Sequence, residues 1–217
     1  MKNDSPPASA ARKPKEPELN RTSLLMAASQ EFARRGLQGA RLEEIAREAN
    51  ITRAMIYYYF GGREGLYLAA LEEAYRDIRA SERAIDLTDL SPVDAMRRLA
   101  QFRIDYYVEN PLMVALIAIE NQQKAQHLKN SKEIQARAEH SLQPLARVLQ
   151  QGQAQGVFRT GIDVVELHQI MVSLGMFNVS NQYTFGAIFE RDPSSPARLA
   201  RTRELACEVV LRFLAVP

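Results

Sequence analysis

From about residue 19 to the C-terminus, apolar side chains recur three and four positions apart, the spacing that gathers them on one face of an α-helix. Leu24, Leu25, Ala28 and Phe32 share one such face, and Gly36 offers the left-handed backbone that ends a helix. A short helix is predicted over about 42–49, with Leu42, Ile45, Ala46 and Ala49 inward. Asn50 and Ile51 read as a tight turn, because Asn tolerates left-handed geometry. Thr52 then caps a third short helix over 53–59, which Gly61 and Gly62 break. A long helix follows from about Arg63 to Ser81, its stripe formed by Leu66, Tyr67, Ala70, Leu71, Ala74 and Ile78.

The second half continues in the same period. Ser91-Pro92 places a cap before a first-turn proline, Asp94 completes a capping box, and the helix ends at Asn110-Pro111. Residues 112–119 begin another helix. A longer one covers about 131–155, where Pro144 either kinks it or opens a fresh segment capped by Ser141, and Gly152 and Gly156 mark its end. Asp163 with Glu166 opens a helix with Leu167, Ile170, Met171, Leu174 and Phe177 on one face. Ser195-Pro196 opens the last, with Ala206, Val209, Val210, Phe213 and Leu214 inward. No run alternates with period two, so the fold class is all-α.

Composition divides the chain. Residues 1–18 are rich in Pro, Ala and charge and hold little to bury, which predicts a disordered basic arm. Such an arm either lies along a DNA groove or stays solvated. The net charge of +2 conceals an asymmetry: residues 1–63 carry 11 Lys/Arg against 7 Asp/Glu, and the rest 17 against 19. A basic front end on a slightly acidic body points to a polyanion partner for the front alone. Cys207 is the one cysteine, which rules out an intrachain disulfide and suits a reducing compartment. The N-terminus lacks the apolar core of a signal peptide, and the longest apolar run, 112–119, is far short of the roughly 20 residues that span a bilayer. A cytoplasmic protein without membrane association is expected.

Two short helices flanking a tight turn, with a longer helix upstream, make a helix-turn-helix over 42–60. A helix that reads bases in the major groove must be short, braced and exposed on one side. In 52–60, Ile56 and Phe60 face the core, which leaves Thr52, Arg53, Met55, Tyr57 and Tyr58 for DNA, while Tyr59 is expected to pack. Thr52 at the helix N-terminus suits a phosphate, Arg53 a guanine edge or a phosphate, and the two tyrosines phosphates or thymine methyls. Arg63, beside two glycines, and Arg41 complete the candidate DNA-binding set.

Residues 21–68 resemble the DNA-binding domain of the TetR/AcrR family of regulators, through Ala27-Ala28, Phe32, Gly36, Ile45-Ala46, Ala49, Ile51-Thr52, Ile56-Tyr57 and Tyr59-Phe60. Asn50 stands where the family has Gly, Arg41 where it has a Thr cap, and Arg63 where it has Lys. The resemblance implies a helix-turn-helix domain over 19–64 and a larger helical domain over 65–217 that dimerises and binds an effector. It also implies a homodimer through helices at about 163–185 and 196–215, with double-stranded DNA as partner, and makes repression the default. Phe102, Tyr106, Met113, Ile117, Asn121, Met171 and Phe177 are the candidate effector-pocket residues, a mixture that suits an uncharged or mostly apolar small molecule.

Two rival classes are weaker. His127, His140 and His168 lack metal-ligand spacing, and neither a phosphate-binding glycine loop nor a Gly-x-Ser-x-Gly elbow occurs, so no catalytic residue, metal or cofactor is expected. An architectural DNA binder without an effector would share the helix-turn-helix and need no pocket.

Overall fold

The computed structural model describes residues 20–216, apart from the side chains of 137–140; the arm expected over 1–18 lies outside the described residues. These fold into α1 (Arg21–Gly39), α2 (Leu42–Glu48), α3 (Arg53–Phe60), α4 (Arg63–Arg83), α5 (Pro92–Glu109), α6 (Pro111–Gln122), α7 (Lys132–Ala138), α8 (Gln143–Ala154), α9 (Val164–Ser180), α10 (Gln182–Phe189) and α11 (Pro196–Leu214). No strand occurs among the described residues, and no helix is long and apolar enough to cross a membrane.

Local chemistry sets the boundaries. Asn20 accepts the amide of Ser23 at 3.1 Å to start α1, and Gly36, at φ 70°, interrupts it before a last turn that reaches Gly39. Asn50 takes φ 53° in the turn after α2. Ser91 accepts the Asp94 amide at 3.1 Å while its hydroxyl donates to the Asp94 carboxylate at 2.6 Å, so cap and first turn hold each other. Asp163 accepts the amides of Val165 and Glu166 at the start of α9.

Four details differ from the sequence pattern. Thr52 occupies the cap position of α3 with extended backbone, but its side chain makes no capping bond. The helix expected over 131–155 is broken: a 3₁₀ turn at Glu139–Leu142 separates α7 from α8, and Leu142 rather than Ser141 is the cap. The helix expected over 163–185 ends at Ser180, because Asn181 departs from helical geometry, and α10 restarts beyond it. Val209 of α11, expected inward, is 44% exposed.

Three apolar clusters organise the chain. The first joins α1, α2 and α3 to the front half of α4 through Leu24, Phe32, Ile45, Ile56, Leu66 and Tyr67, and is completed by Leu116 and Ile119 of α6. The second surrounds α5 with α8, α9 and α11 and includes Met96, Leu149, Leu167 and Val210. It also buries Cys207, whose thiol is pushed up by burial. The third, between the other two, gathers Ile78, Tyr106, Tyr107, Met113 and Val114. A boundary at residue 64 therefore falls inside α4, which contributes to the cores on both sides.

A buried polar link reinforces this junction. Glu120 of α6, 1% exposed, accepts the amides of His127 at 2.7 Å and Leu128 at 3.0 Å. The His127 ring lies 2.9 Å from Glu120 through Nδ1 and 2.7 Å from Glu64, in the first turn of α4, through Nε2. Burial pushes His127 down and Glu120 up, but their hydrogen bonds outweigh it, so the imidazole ends above its ordinary value and the carboxyl below. The link ties the start of α4, just beyond the helix-turn-helix, to the body.

Candidate nucleic-acid interface

The helix-turn-helix is α2 and α3 held against α1 and α4. Only Ile56 of α3 is fully buried, so this short helix is anchored at one point and presents most of its surface. Tyr57, Tyr58 and Tyr59 are 48%, 82% and 52% exposed. Tyr59, expected to pack inward, instead stands edge-on to Tyr58 with ring centroids 4.9 Å apart, because Phe60 fills the inward position and caps the core beside Arg21.

Arg53 is held in place before any DNA arrives. Its guanidinium pairs with Glu43 of α2 at 2.5 Å, donates to the Tyr57 hydroxyl at 3.0 Å and lies 5.3 Å from the centre of that ring. Thr52 is exposed beside it, and Met55 is half-buried. Arg41 is exposed at the start of α2, and Arg47 pairs with Glu44 at 2.6 Å. Arg63 is half-buried, and its Nε is shielded from solvent with no hydrogen-bond partner among the described residues. The structure thus brings Thr52, Arg53, Tyr57 and Tyr58 together on α3, with Arg41 and Arg63 at the neighbouring helix starts.

Two residues that shape this face escaped the sequence reading. Glu43 orients Arg53 from ten positions upstream, across the turn. Glu31, 5% exposed on α1, pairs with Arg34 at 2.5 Å and Arg35 at 2.9 Å and accepts the Arg41 amide at 3.1 Å. A carboxylate on a neighbouring helix thereby serves the start of α2, where Arg41 itself makes no side-chain cap. Burial raises the Glu31 pKa, but Arg34, the Arg41 amide and Arg35 together bring it below the ordinary value. Glu31→Ala is expected to lower stability by about 1–3 kcal/mol, the cost of taking a buried acceptor from the part-buried Arg41 amide and from two guanidinium groups, and Glu31→Gln by less. Thermal denaturation of the two variants checks this, and equal losses would refute a role for the Arg41 amide.

The junction between α3 and α4 is unusually close. Gly61 takes φ 73° to end α3, and Gly62 takes φ 124° beneath the Tyr57 ring. Gly65 in the first turn of α4 lies so near α3 that a Cβ there would stand 1.8 Å from the Phe60 carbonyl oxygen.

Residues 24–70 match the bacterial regulatory proteins of the tetR family, and residues 92–210 match the tetracyclin repressor-like C-terminal domain. The chain belongs to the TetR family. The transcriptional repressor NicS of Pseudomonas putida is 31% identical to this TetR-family chain over 197 residues, 91% of this chain and 93% of that protein. The repressor SCO4008 of Streptomyces coelicolor is 29% identical over 167 residues, 76% and 81% of the two chains. The solved structure of a tetR-family regulatory protein from Rhodococcus RHA1 shares the fold over 90% of this chain and 97% of its own, with TM-score 0.69 at 18% identity. This TetR-family protein is a DNA-binding regulator of transcription.

The seven residues expected to line an effector pocket are spread over three environments. Tyr106 and Met113 are buried in the third cluster, and Phe102 and Ile117 pack against it. Met171 belongs to the second cluster, Asn121 is exposed with its amide donating to the Ile117 carbonyl, and Phe177 is half-exposed against Phe185. A cleft of about 860 Å³ lies elsewhere in the body, between the end of α4, the connection 84–91 and α8, and none of the seven lines it.

Proposed function

We propose that this regulator acts in the cytoplasm as a homodimeric repressor that binds a near-palindromic operator and is released by a small-molecule effector. The observation that carries the DNA reading is the α3 face, where Arg53, Tyr57 and Tyr58 are exposed and Arg53 is oriented in advance. In this reading Arg53 and Tyr57 contact bases, Met55 and Tyr58 extend that contact, and Thr52, Arg41 and Arg63 hold phosphates. One such helix spans only a few base pairs, so two copies reading successive turns are needed for specificity.

A second copy is supported by the surface of α9, α10 and α11. Val165 and Phe177, Tyr183, Ile188 and Phe189, and Leu205 and Val209 are each at least 44% exposed, and exposed large apolar residues gathered on neighbouring helices suit a partner surface. A two-fold pairing of these helices covers it. Because α10 has no buried residue of its own, the interface includes α10 as well as the two long helices.

Selection of the purified chain on random double-stranded DNA tests the reading. The expected product is a palindrome with regularly spaced half-sites. Arg53→Ala is expected to bind that sequence roughly tenfold to hundredfold more weakly, losing preference at one position per half-site. A selected pool without symmetry, or an unchanged motif in the variant, would overturn it.

A further inference from the structure

The cleft near the end of α4 is lined by three arginines and two carboxylates. Arg79 and Arg83 of α4 and Arg147 of α8 face it, opposed by Glu82 and Asp86. Neither carboxylate is idle. Glu82, 6% exposed, accepts from Arg79 at 2.9 Å through one oxygen and from Arg103 of α5 through the other. Asp86 accepts the Thr88 amide at 2.9 Å. Arg103 is only 3% exposed, so two guanidinium groups share one buried carboxylate, and among the described residues no second carboxylate pairs with either. A buried charge in that position is costly until something negative joins it.

His168 of α9 reports the same field. Burial, then the charges of Arg103 and Arg79, push it down to about 4, so the ring is neutral. Its Nδ1 is buried and has no hydrogen-bond partner among the described residues. Of the remaining wall, Ile85, Leu87, Leu90, Pro144 and Val148 form the apolar part, and Thr88, Ser141, Gln143 and Gln151 add polar groups. A volume of about 860 Å³ is in the range of small-molecule sites.

We propose that this cleft takes a small organic acid, its carboxylate paired with Arg79 beside Arg103 and its apolar body laid against Ile85, Leu87 and Val148. The proposal rests on the effector reading above and narrows it, replacing the uncharged ligand expected from the sequence with an anion. The guanidinium of Arg79 is the selective group, since it lines the cleft while Arg103 backs it from within. A guanidinium meets a carboxylate through two parallel hydrogen bonds, which a primary amide of the same shape cannot match in charge or in acceptors.

The test uses the full chain and four acids, each paired with its amide: butyrate, hexanoate, benzoate and phenylacetate. Binding is followed by calorimetry and by the rise in Tm, and release by affinity for the selected DNA. At least one acid is expected to bind saturably, with its amide roughly tenfold or more weaker. Arg79→Met is expected to weaken that acid roughly tenfold to hundredfold, the span of a hydrogen bond to a charged group. Arg147→Gln, at the exposed mouth, is expected to cost roughly threefold, as a screened surface charge does, with fold and DNA affinity unchanged. Amides that bind as well as acids, acids indifferent to Arg79→Met, or no binding by any acid would overturn the proposal. If amides bind and release DNA, the effector reading survives without the anion; if no compound of either class alters DNA affinity, the effector reading fails as well.

Discussion

Gly65→Ala is expected to abolish operator binding more completely than removal of any single side chain on the recognition helix. The added methyl would stand 1.8 Å from the Phe60 carbonyl, and neither atom belongs to a side chain that swings away. Relief requires α3 to move as a body relative to α4. Its only fully buried residue is Ile56, so the core resists that movement at one point while the exposed face shifts with it. The expected cost is about 3 kcal/mol, in the upper range for overpacking, which lowers Tm by roughly 6–12 °C for a chain of this size. Affinity is expected to fall more than roughly a hundredfold, because every contact in the helix loses register together. Gly152→Ala is the control. Its methyl would meet the buried Phe158 ring at 2.0 Å, far from the DNA face, so a similar loss of Tm should come with unchanged DNA affinity. If the two glycine variants bound DNA alike, the junction would have no special part in aiming α3.

The second large effect belongs to the polar link between α4 and α6. Glu120→Ala leaves the amides of His127 and Leu128 and the His127 ring without their acceptor, at a site 1% exposed. Breaking a buried pair from one side costs about 3–5 kcal/mol. The wild-type link also predicts a pH profile. The imidazole of His127 is raised above its ordinary 6.5, so its contribution is full below that value and is lost as pH rises through the folded value. The Glu120 carboxyl is lowered below its ordinary 4.5, so its contribution is full above that value and is lost as pH falls through the folded one. Both contributions are complete between 4.5 and 6.5. Tm measured from pH 5 to 9 should therefore fall on the alkaline side more steeply for the wild type than for His127→Gln. Parallel curves would show that folding leaves the affinity of the ring for its proton unchanged.

The helical architecture was legible because its signals are local. Asn50, the capping box at Ser91 and Asp94, the Asp163 cap and the proline starts of α5, α6 and α11 each depend on a few neighbouring residues. Most of the α3 face was legible for the same reason, since fixing Ile56 and Phe60 inward leaves Thr52, Arg53, Tyr57 and Tyr58 outward, while Tyr59, expected to pack, is exposed as well. What escaped depends on residues distant in the chain. Glu43 reaches Arg53 across a turn, Glu31 reaches the Arg41 amide from a neighbouring helix, and Glu64, Glu120 and His127 meet from three segments. Apolar bulk in the middle helices suggested a pocket; Phe102, Tyr106 and Met113 belong to the third cluster, and the cleft lies apart from them, between the end of α4, the connection 84–91 and α8. The break at Asn181 was missed because apolar residues continue on both sides of it.

The shared first core bears on the engineering of chimaeras. Leu116 and Ile119 close the apolar centre of the DNA-reading unit from α6, the Tyr67 hydroxyl donates to the Leu116 carbonyl at 3.1 Å, and Glu64 meets His127 across the same seam. A graft cut at the end of α3 would set one parent's α1 against the other's α4 and α6. Exchange of operator specificity is better made by repainting the outward positions of α3 alone, or by transplanting residues 20–83 together with 116–128 as one block.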